Sequence, residues 1–351
     1  MRKHKNYLII FFALFFMFGY SATVYAQQKI KWKMATSWPK KIGLQVAAEQ
    51  FAKNVEAMSG GRLVIKVYPG GALMSPMEVF DSVHMGTIDA GHTAAGYRIG
   101  KEAAAALFFS IPAGFEAIPF LTWIYEGGGL ELWQEMNSKY NIGYSAPCGI
   151  LPPEDFAWSH KPIRTLEDFK GLKMRAAGYW GEILNDIGAS TVTLPAQELY
   201  PALQRKVLDA LEFNMPSTDK ILGFYEITEY LIVPGVHQPS SVIEITVNKK
   251  SWEKLPPDLQ AIVKIASQAT TLRLLTQSVW LDAPALEFFK KYGTEIIYLD
   301  PKVQKELAKK ANVLLDKYAK KDPFFAKVLT SQRKWKKAYL PYKHLMTPAY
   351  D

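Results

Sequence analysis

The chain has 351 residues, of which 49% are apolar and 21% are charged, so it can bury sizeable cores and is not a disordered polypeptide. Its net charge of +9 is spread along the chain without a block of basic residues interleaved with aromatic ones, which argues against nucleic-acid binding. Its one cysteine, Cys148, excludes an internal disulfide, and we expect it to be a small buried residue rather than a nucleophile.

The first 26 residues have the pattern of a secretory signal peptide. Basic residues at the start precede an apolar run from Tyr7 to about Tyr20, and small residues ending at Ala26 follow. A membrane anchor is the alternative, but the run is short for a span, which needs about 20 residues. We therefore expect cleavage after Ala26 and a mature protein in the periplasm.

Strands and helices alternate in the next part of the chain. The segment IKWKMAT, residues 30–36, alternates as a strand does, and an amphipathic helix follows it. The segments 62–71 and 87–94 predict two more strands, separated by a short helix with Ser75 as its cap and Pro76 at its first position. This repeated strand–helix order predicts a parallel sheet.

A second block with the same order surrounds Arg175, which ends a short strand and precedes a strand-to-helix turn of small residues. The remaining elements predicted here are a helix to Ile187, a strand at 190–194, a helix at 196–206 and a strand at 208–213. The chain is expected to cross between the two blocks at two segments rich in proline, glycine and serine, 148–156 and 234–242.

The last part of the chain is predicted to be mostly helical. A long helix from Pro257 to about Tyr292 carries apolar residues at helical spacing, and two further helices follow; the apolar residues are Ile262, Ile265, Leu272 and Leu275. We therefore divide the chain into four parts. These are the signal peptide at 1–26, a first lobe at 27–150 completed by part of 240–320, a second lobe at 151–239, and a crossover strand, long helix and helical tail at 240–351.

Motifs of common catalytic sites are absent from the sequence. No two histidines have the i, i+4 spacing of a zinc helix, and neither G-x-S-x-G nor G-x-G-x-x-G occurs. An exported α/β chain without such motifs favours binding over catalysis.

Six segments of the mature chain resemble the solute-binding proteins of tripartite ATP-independent periplasmic (TRAP) transporters, the DctP-type family. They are KWKMATSWP, GGRLVIKVYPGGAL, FDSVHMGTIDAGHTA, TLEDFKGLKMRAAG, ELYPALQRKVLDALEF and ILGFYEI. The resemblance implies an α/β, two-lobed periplasmic binding protein fold with an interlobe ligand cleft and long C-terminal helices. It also implies a solute-binding subunit rather than an enzyme. Lys206 departs from the family, which usually has glycine before the following strand.

The segment TSWP, the PCG segment followed by Trp158, the pair Glu212-Phe213 and the VPG before Gln238 resemble one subgroup of the family. This subgroup binds 2-oxo and 2-hydroxy monocarboxylates together with a metal ion. In this family the arginine of the MR motif, here Arg175, binds the ligand carboxylate. A guanidinium suits that role because it meets a carboxylate with two parallel hydrogen bonds. The residues Ala176, Ala177 and Gly178 would leave room for the ligand. The alternative for Arg175 is a salt bridge between the lobes.

The same subgroup implies a metal site. There a glutamate and the carbonyl of the next aromatic residue, here Glu212 and Phe213, coordinate the ion. The two further ligands correspond to Glu154 and Gln238, where the subgroup usually has Gln and Glu. The exchange keeps the charge and the oxygen ligands, which suit a hard cation such as Na⁺ or Ca²⁺.

Three aromatic residues complete the candidate site. The resemblance implies that Tyr97 reaches the ligand, although a tyrosine of the core is the competing interpretation. Trp38 and Trp158 are expected to be walls of the cleft rather than hydrogen-bond donors.

The sequence thus predicts an extracytoplasmic subunit that captures a small monocarboxylate, such as pyruvate or lactate, and delivers it to a TRAP membrane permease. An extracytoplasmic metal-dependent enzyme acting on a 2-oxo acid and a sensory binding protein are the alternatives. The aromatic tail from Pro323 to Asp351 either packs on its own chain or, as the resemblance favours, extends to a second subunit of a homodimer.

Overall fold

The protein is described by a computed structural model that covers residues 29–348, so the predicted signal peptide lies outside the described residues. Two β-sheets organise this part of the chain, one with five strands and one with six. The chain passes from the first sheet to the second after residue 151 and returns to the first after residue 233. These two passages fall within the predicted crossover segments, and a third passage leads after residue 292 back to the second sheet.

The first sheet has the strand order β2-β1-β3-β10-β4. Its strands are β1 (Ile30–Thr36), β2 (Leu63–Tyr68), β3 (Ala90–Thr93), β4 (Ile142–Leu151) and β10 (Ser241–Asn248). Strands β1, β2 and β3 are parallel, whereas β10 runs antiparallel to both β3 and β4. Every residue of β10 is buried, which is expected of a strand between two neighbours and beneath helices.

The second sheet has the order β11-β9-β5-β8-β6-β7. Its strands are β5 (Ala157–Ser159), β6 (Lys173–Arg175), β7 (Ser190–Val192), β8 (Ala210–Leu211), β9 (Tyr230–Val233) and β11 (Glu295–Tyr298). Strand β5 is antiparallel to β8 and β9, and the other pairs are parallel. The strands of the two predicted strand–helix blocks, β1 to β3 and β6 to β8, are parallel as expected, and each sheet also contains an antiparallel strand that the sequence analysis did not predict. The antiparallel strands β5 and β10 are those that the chain enters directly from the other sheet, without a crossover helix.

Helices cover both sheets. They are α1 (Gly43–Met58), α2 (Val79–Met85), α3 (Ala117–Glu126), α4 (Gly129–Asn137), α5 (Tyr179–Asp186), α6 (Ala196–Gln204), α7 (Pro216–Leu222), α8 (Lys249–Glu253), α9 (Pro257–Tyr292), α10 (Pro301–Lys321) and α11 (Pro323–Met346). The 3₁₀ segments are Pro76–Glu78, Ala95–Arg98, Ala103–Phe108, Glu167–Phe169 and Phe224–Glu226. Ser75 makes no capping hydrogen bond from its side chain, contrary to the prediction. Within residues 29–348 no helix combines the length and the apolarity that crossing a membrane requires.

The long helix α9 has the predicted bounds but buries a different face from the one expected. Ile265 and Leu272 are more than half exposed, and Ile262 and Leu275 are only partly buried. The buried positions are Leu259, Val263, Ala266, Ser267, Thr270, Thr271, Leu274, Ser278, Ala285 and Phe289. Because small and hydroxyl residues fit against β4 and α1, apolarity alone does not mark the packed face.

The last two helices pack on their own chain, against each other and against different neighbouring helices. On α10, the Tyr318 hydroxyl donates to Glu182 of α5, which covers the second sheet. On α11, Phe325, Val328 and Leu329 are buried, and the Trp335 indole donates to the carbonyl of Pro119 in α3 at 2.9 Å. The far end of α11 remains exposed, including Leu340, Tyr342, Leu345 and Met346.

Candidate functional site

The candidate site lies where two neighbouring parallel strands of the second sheet end. Arg175 is the last residue of β6, and Glu212 directly follows β8. In the register of the two strands Arg175 lies opposite Leu211. The carboxyl ends of adjacent parallel strands are where α/β proteins bind ligands, so both charged groups lie at a suitable edge.

Arg175 is 1% exposed and is held by three hydrogen bonds. Its Nη1 donates to the carbonyl oxygen of Glu212 at 2.6 Å and to Oε2 of Glu212 at 2.8 Å, and its Nε donates to the carbonyl of Leu194 at 3.3 Å. These bonds use Nε and Nη1, and Nη2 has no carbonyl or carboxylate acceptor among the described residues, although the Tyr97 hydroxyl lies close to the guanidinium. The pair lies within one sheet, so it is not the salt bridge between lobes that was the alternative interpretation.

The turn after Arg175 depends on Gly178. This residue has φ 63° and ψ −150°, a region that side-chain-bearing residues rarely occupy. A Cβ at this position would meet no neighbouring atom within 4 Å. Glycine is therefore required here by the backbone conformation, and it lets the chain leave β6 and begin α5.

Glu154 and Gln238 come from the two crossover segments, which run side by side. The Glu154 amide donates to the carbonyl of Gln238 at 3.2 Å, and the Gly235 amide donates to the carbonyl of Glu154 at 2.9 Å. A Cβ on Gly235 would approach that carbonyl oxygen to 2.3 Å, so only glycine permits this contact. The Gln238 side-chain amide donates to Oε2 of Glu154 at 2.6 Å. This direct contact explains how glutamate and glutamine can exchange positions while keeping the same set of groups.

Glu154 is buried, so it is not a solvent-exposed loop carboxylate. Burial, reinforced by the negative charge of Glu212, raises the pKa of Glu154 well above its ordinary value. Burial also raises the pKa of Glu212, although Arg175 and the Ala177 amide oppose that shift. Two buried carboxylates beside a single arginine leave a deficit of positive charge, which a cation would offset.

His237, which the sequence analysis overlooked, lies between the two carboxylates. Its Nε2 is 3.8 Å from Oε2 of Glu154 and 4.0 Å from Oε2 of Glu212. The ring is stacked on Trp180 at a centroid distance of 5.3 Å. Burial, aided by the positive charge of Arg175, lowers the pKa of His237 to about 3, so the imidazole is neutral at pH 7. No motif in the sequence marks this residue, and only its position beside Gln238 could have indicated it.

These groups form a set with the spacing of metal ligands. One ligand atom each from Glu154, Glu212 and His237 lie within 4.8 Å of one another, and all three residues are buried. The carbonyl oxygen of Phe213 accepts no hydrogen bond from any residue in the range 29–348 and is therefore free for a ligand or ion. The set fits a cation, because it offers buried oxygen donors of which two are carboxylates.

Trp158, which the sequence analysis expected to be a wall of the cleft, has no exposed surface in this structure. It is fully buried, its indole donates to Oδ2 of Asp219 at 3.0 Å, and it packs edge-on against Phe289. Asp219 was also missed by the sequence analysis. Burial raises the pKa of Asp219 well above its ordinary value, and the nearby Glu212 raises it further.

Tyr97 and Trp38 lie on the side of the first sheet. Trp38 is 2% exposed, and its indole donates to Nδ1 of His92 at 2.8 Å, so it has no hydrogen left to donate to a ligand. Tyr97 packs against Trp38 with a centroid distance of 6.2 Å. Burial raises the pKa of Tyr97 to about 12, and the guanidinium of Arg175 is close enough to oppose that shift. The structure therefore brings Tyr97 near Arg175 across the two sheets.

Residues 34–322 match the model of the bacterial extracellular solute-binding protein family 7, known as DctP. A monocarboxylate 2-oxoacid-binding periplasmic protein from a Nostoc species is 32% identical over 322 residues, covering 92% of this chain and 88% of the relative. The chain belongs to the DctP family.

Two solved structures of TRAP solute-binding proteins are similar along most of their length. One, from Bordetella bronchiseptica, has a TM-score of 0.88 and 29% identity, with 91% of this chain and 95% of the other covered; it is a mixed-occupancy dimer with copurified calcium and picolinate bound. The other, from Pseudoalteromonas atlantica, has a TM-score of 0.87 and 33% identity, with 91% and 97% covered, and contains sodium and pyruvate.

Membership of this family confirms three predictions. The chain has the fold of a TRAP solute-binding protein with long C-terminal helices, it acts outside the cytoplasm, and it is a receptor for a solute rather than an enzyme. The DctP protein described here is therefore a receptor that binds a solute and does not transform it.

Proposed function

We propose that this DctP protein binds a small 2-oxo or 2-hydroxy monocarboxylate together with a cation, in the periplasm, and delivers it to a TRAP membrane permease. The observation that carries the proposal is the arrangement at Arg175. The guanidinium is buried and fixed by Glu212, yet its Nη2 has no carboxylate or carbonyl acceptor among the described residues. A ligand carboxylate would complete the hydrogen bonding of this group.

The cation would be held by side chains of Glu154, Glu212 and Gln238 and by the carbonyl oxygen of Phe213. A bound cation stabilises the ionised carboxylates, which burial otherwise disfavours, and it can accept an oxygen of the ligand at the same time. Sodium and calcium are the two candidates, since each accompanies a small carboxylate in one of the similar structures. Tyr97 would donate its phenol to the ligand, and Trp38 would close the cavity beside it.

Export follows from the predicted signal peptide at residues 1–26 together with the family to which the chain belongs. Delivery to a permease follows from the same family. A homodimer is part of the proposal, because the exposed apolar end of α11 would be covered in a dimer and the Bordetella relative is itself a dimer.

The test is calorimetric titration of pyruvate and lactate into protein freed of metal, with and without added Na⁺ or Ca²⁺. We expect removal of the cation to weaken binding at least about tenfold. Pyruvate and lactate have few atoms, so they depend on the cation to reach high affinity. Glu212→Gln should weaken binding to a similar extent in the presence of the cation. Glu229→Gln, a change at the exposed loop before β9, is the matched control. Unchanged affinity in buffer free of sodium and of divalent ions would contradict the metal-dependent mode.

A further inference from the structure

The His237 side chain is buried without a hydrogen-bond partner among the described residues. It is 1% exposed, and neither Nδ1 nor Nε2 makes a hydrogen bond to any residue in the described range. An imidazole buried in this way forfeits hydrogen bonds that water would supply, which costs free energy. A group kept at such a cost in a binding site is expected to have a partner in the occupied state.

The packing around His237 fixes the direction in which it can find that partner. Trp180 stacks on one face of the ring, and Phe156 approaches edge-on at a centroid distance of 5.8 Å. Nε2 is directed toward the gap between Glu154 and Glu212, at 3.8 Å and 4.0 Å from their oxygens. Separations of this size are too long for hydrogen bonds, but they suit two ligands bound to one metal ion.

We propose that Nε2 of His237 is a direct ligand of the cation, so that the site of this chain combines one nitrogen donor with its carboxylate oxygens. The inference rests on the proposed function, because it concerns the cation of the same site. Imidazole nitrogen is a good ligand for divalent transition metals and a poor one for Na⁺ and Ca²⁺, which prefer oxygen. The protein therefore binds ions such as Mn²⁺ and Zn²⁺ more tightly than an all-oxygen site would.

The charges at the site also favour a divalent ion. Glu154, Glu212 and a ligand carboxylate carry three negative charges when ionised, the buried Asp219 lies nearby, and Arg175 pairs with Glu212. A divalent ion offsets two of these charges, whereas Na⁺ offsets only one.

The first experiment uses Mn²⁺ as the probe on metal-free purified protein. Pulsed electron paramagnetic resonance detects coupling between the ion and a directly bound imidazole nitrogen. We expect this coupling in the wild-type protein, its loss in His237→Phe, and its retention in the matched control His344→Phe, which changes an exposed histidine on α11. Phenylalanine preserves the stacking on Trp180. Absence of the coupling in wild type, or its persistence in His237→Phe, would overturn the proposal.

The second experiment compares affinities for Zn²⁺ and Ca²⁺ by competition with a chelating dye. His237→Phe should weaken Zn²⁺ binding at least about tenfold while changing Ca²⁺ binding less than about threefold. A parallel loss of both affinities would indicate a merely structural role and overturn the proposal, and so would unchanged Zn²⁺ affinity. If nitrogen coupling is present but neither pyruvate nor lactate binds, the proposed ligand class fails while the nitrogen ligand stands.

Discussion

At the residue scale, Arg175 holds Glu212 in place and has a further donor free for a ligand. Arg175→Ala removes that donor and leaves Glu212 buried without its partner. We expect it to weaken carboxylate binding by about 2–5 kcal/mol, which in a calorimetric titration removes measurable binding. Arg164→Ala, at an exposed ion pair with Glu295, is the control. Binding within about threefold of wild type in Arg175→Ala would show that another group anchors the carboxylate.

His92 provides a second prediction, on acid stability. It is fully buried, accepts a hydrogen bond from Trp38 and contacts the carbonyl of Cys148 through Nε2. Burial lowers the pKa of His92 to about 4, against 6.5 for an ordinary histidine. The unfolded chain thus takes up a proton between pH 6.5 and 4 that the folded chain does not. Its contribution to stability is complete above pH 6.5 and is lost as the pH falls toward 4.

The variant His92→Gln keeps a donor and an acceptor but cannot titrate. Denaturant unfolding at pH 7.5 and 4.5 should show a smaller loss of stability on acidification in His92→Gln than in wild type. The difference should be about 2.5 kcal/mol, following from the two pKa values. Equal losses in the two proteins would mean that His92 titrates normally in the folded state.

At the scale of elements, the turn from α6 to β8 contains a strained residue. Lys206 has a φ of 56°, a left-handed conformation that costs a residue with a side chain about 1–2 kcal/mol. This is the position at which the family usually has glycine. Lys206→Gly should therefore raise the free energy of unfolding by about 0.5–1 kcal/mol, since part of the relief is offset by the greater entropy of the unfolded glycine.

The neighbouring residue supplies the control for this prediction. Arg205 has a φ of −80°, which is unstrained, so Arg205→Gly should lower stability rather than raise it. Urea unfolding of both variants measures the two effects. A loss of stability in both would show that Lys206 makes contacts that outweigh its backbone strain.

At the scale of the whole molecule, the first part of the C-terminal tail packs on its own chain, which was one of the two alternatives for the tail. The buried stripe of Phe325, Val328 and Leu329 packs on the same chain, which satisfies the helix without a partner. The end of α11 is different, because Tyr342 and Leu345 are 60% and 79% exposed. A cluster of exposed apolar side chains at one helix end is typical of an interaction surface.

We expect light scattering to give twice the mass of one chain at micromolar concentration. The double variant Tyr342→Glu and Leu345→Glu should be monomeric and as stable as wild type, since neither side chain is buried. Met85→Glu, an equally exposed position at the end of α2, should remain dimeric. A monomeric wild-type protein would contradict the homodimer, and α11 would then act only within one chain.

The sequence by itself determined the features that depend on local order along the chain. The sequence placed Arg175 and Glu212 at or near the ends of two strands, and parallel neighbouring strands must bring their carboxyl ends to one edge. The bounds of α9 followed in the same way from its helical pattern and its flanking proline and glycine. These features could be predicted because they need only near neighbours and a known direction of the chain.

Only the tertiary structure decided which residues meet at that edge. Glu154 and Gln238 are 84 positions apart, yet their side chains are in contact because two crossover segments lie side by side. The same packing places His237 between two carboxylates and turns the small, hydroxyl-bearing face of α9 inward. Such contacts follow from how distant segments pack together, and no periodicity or spacing within either segment encodes them.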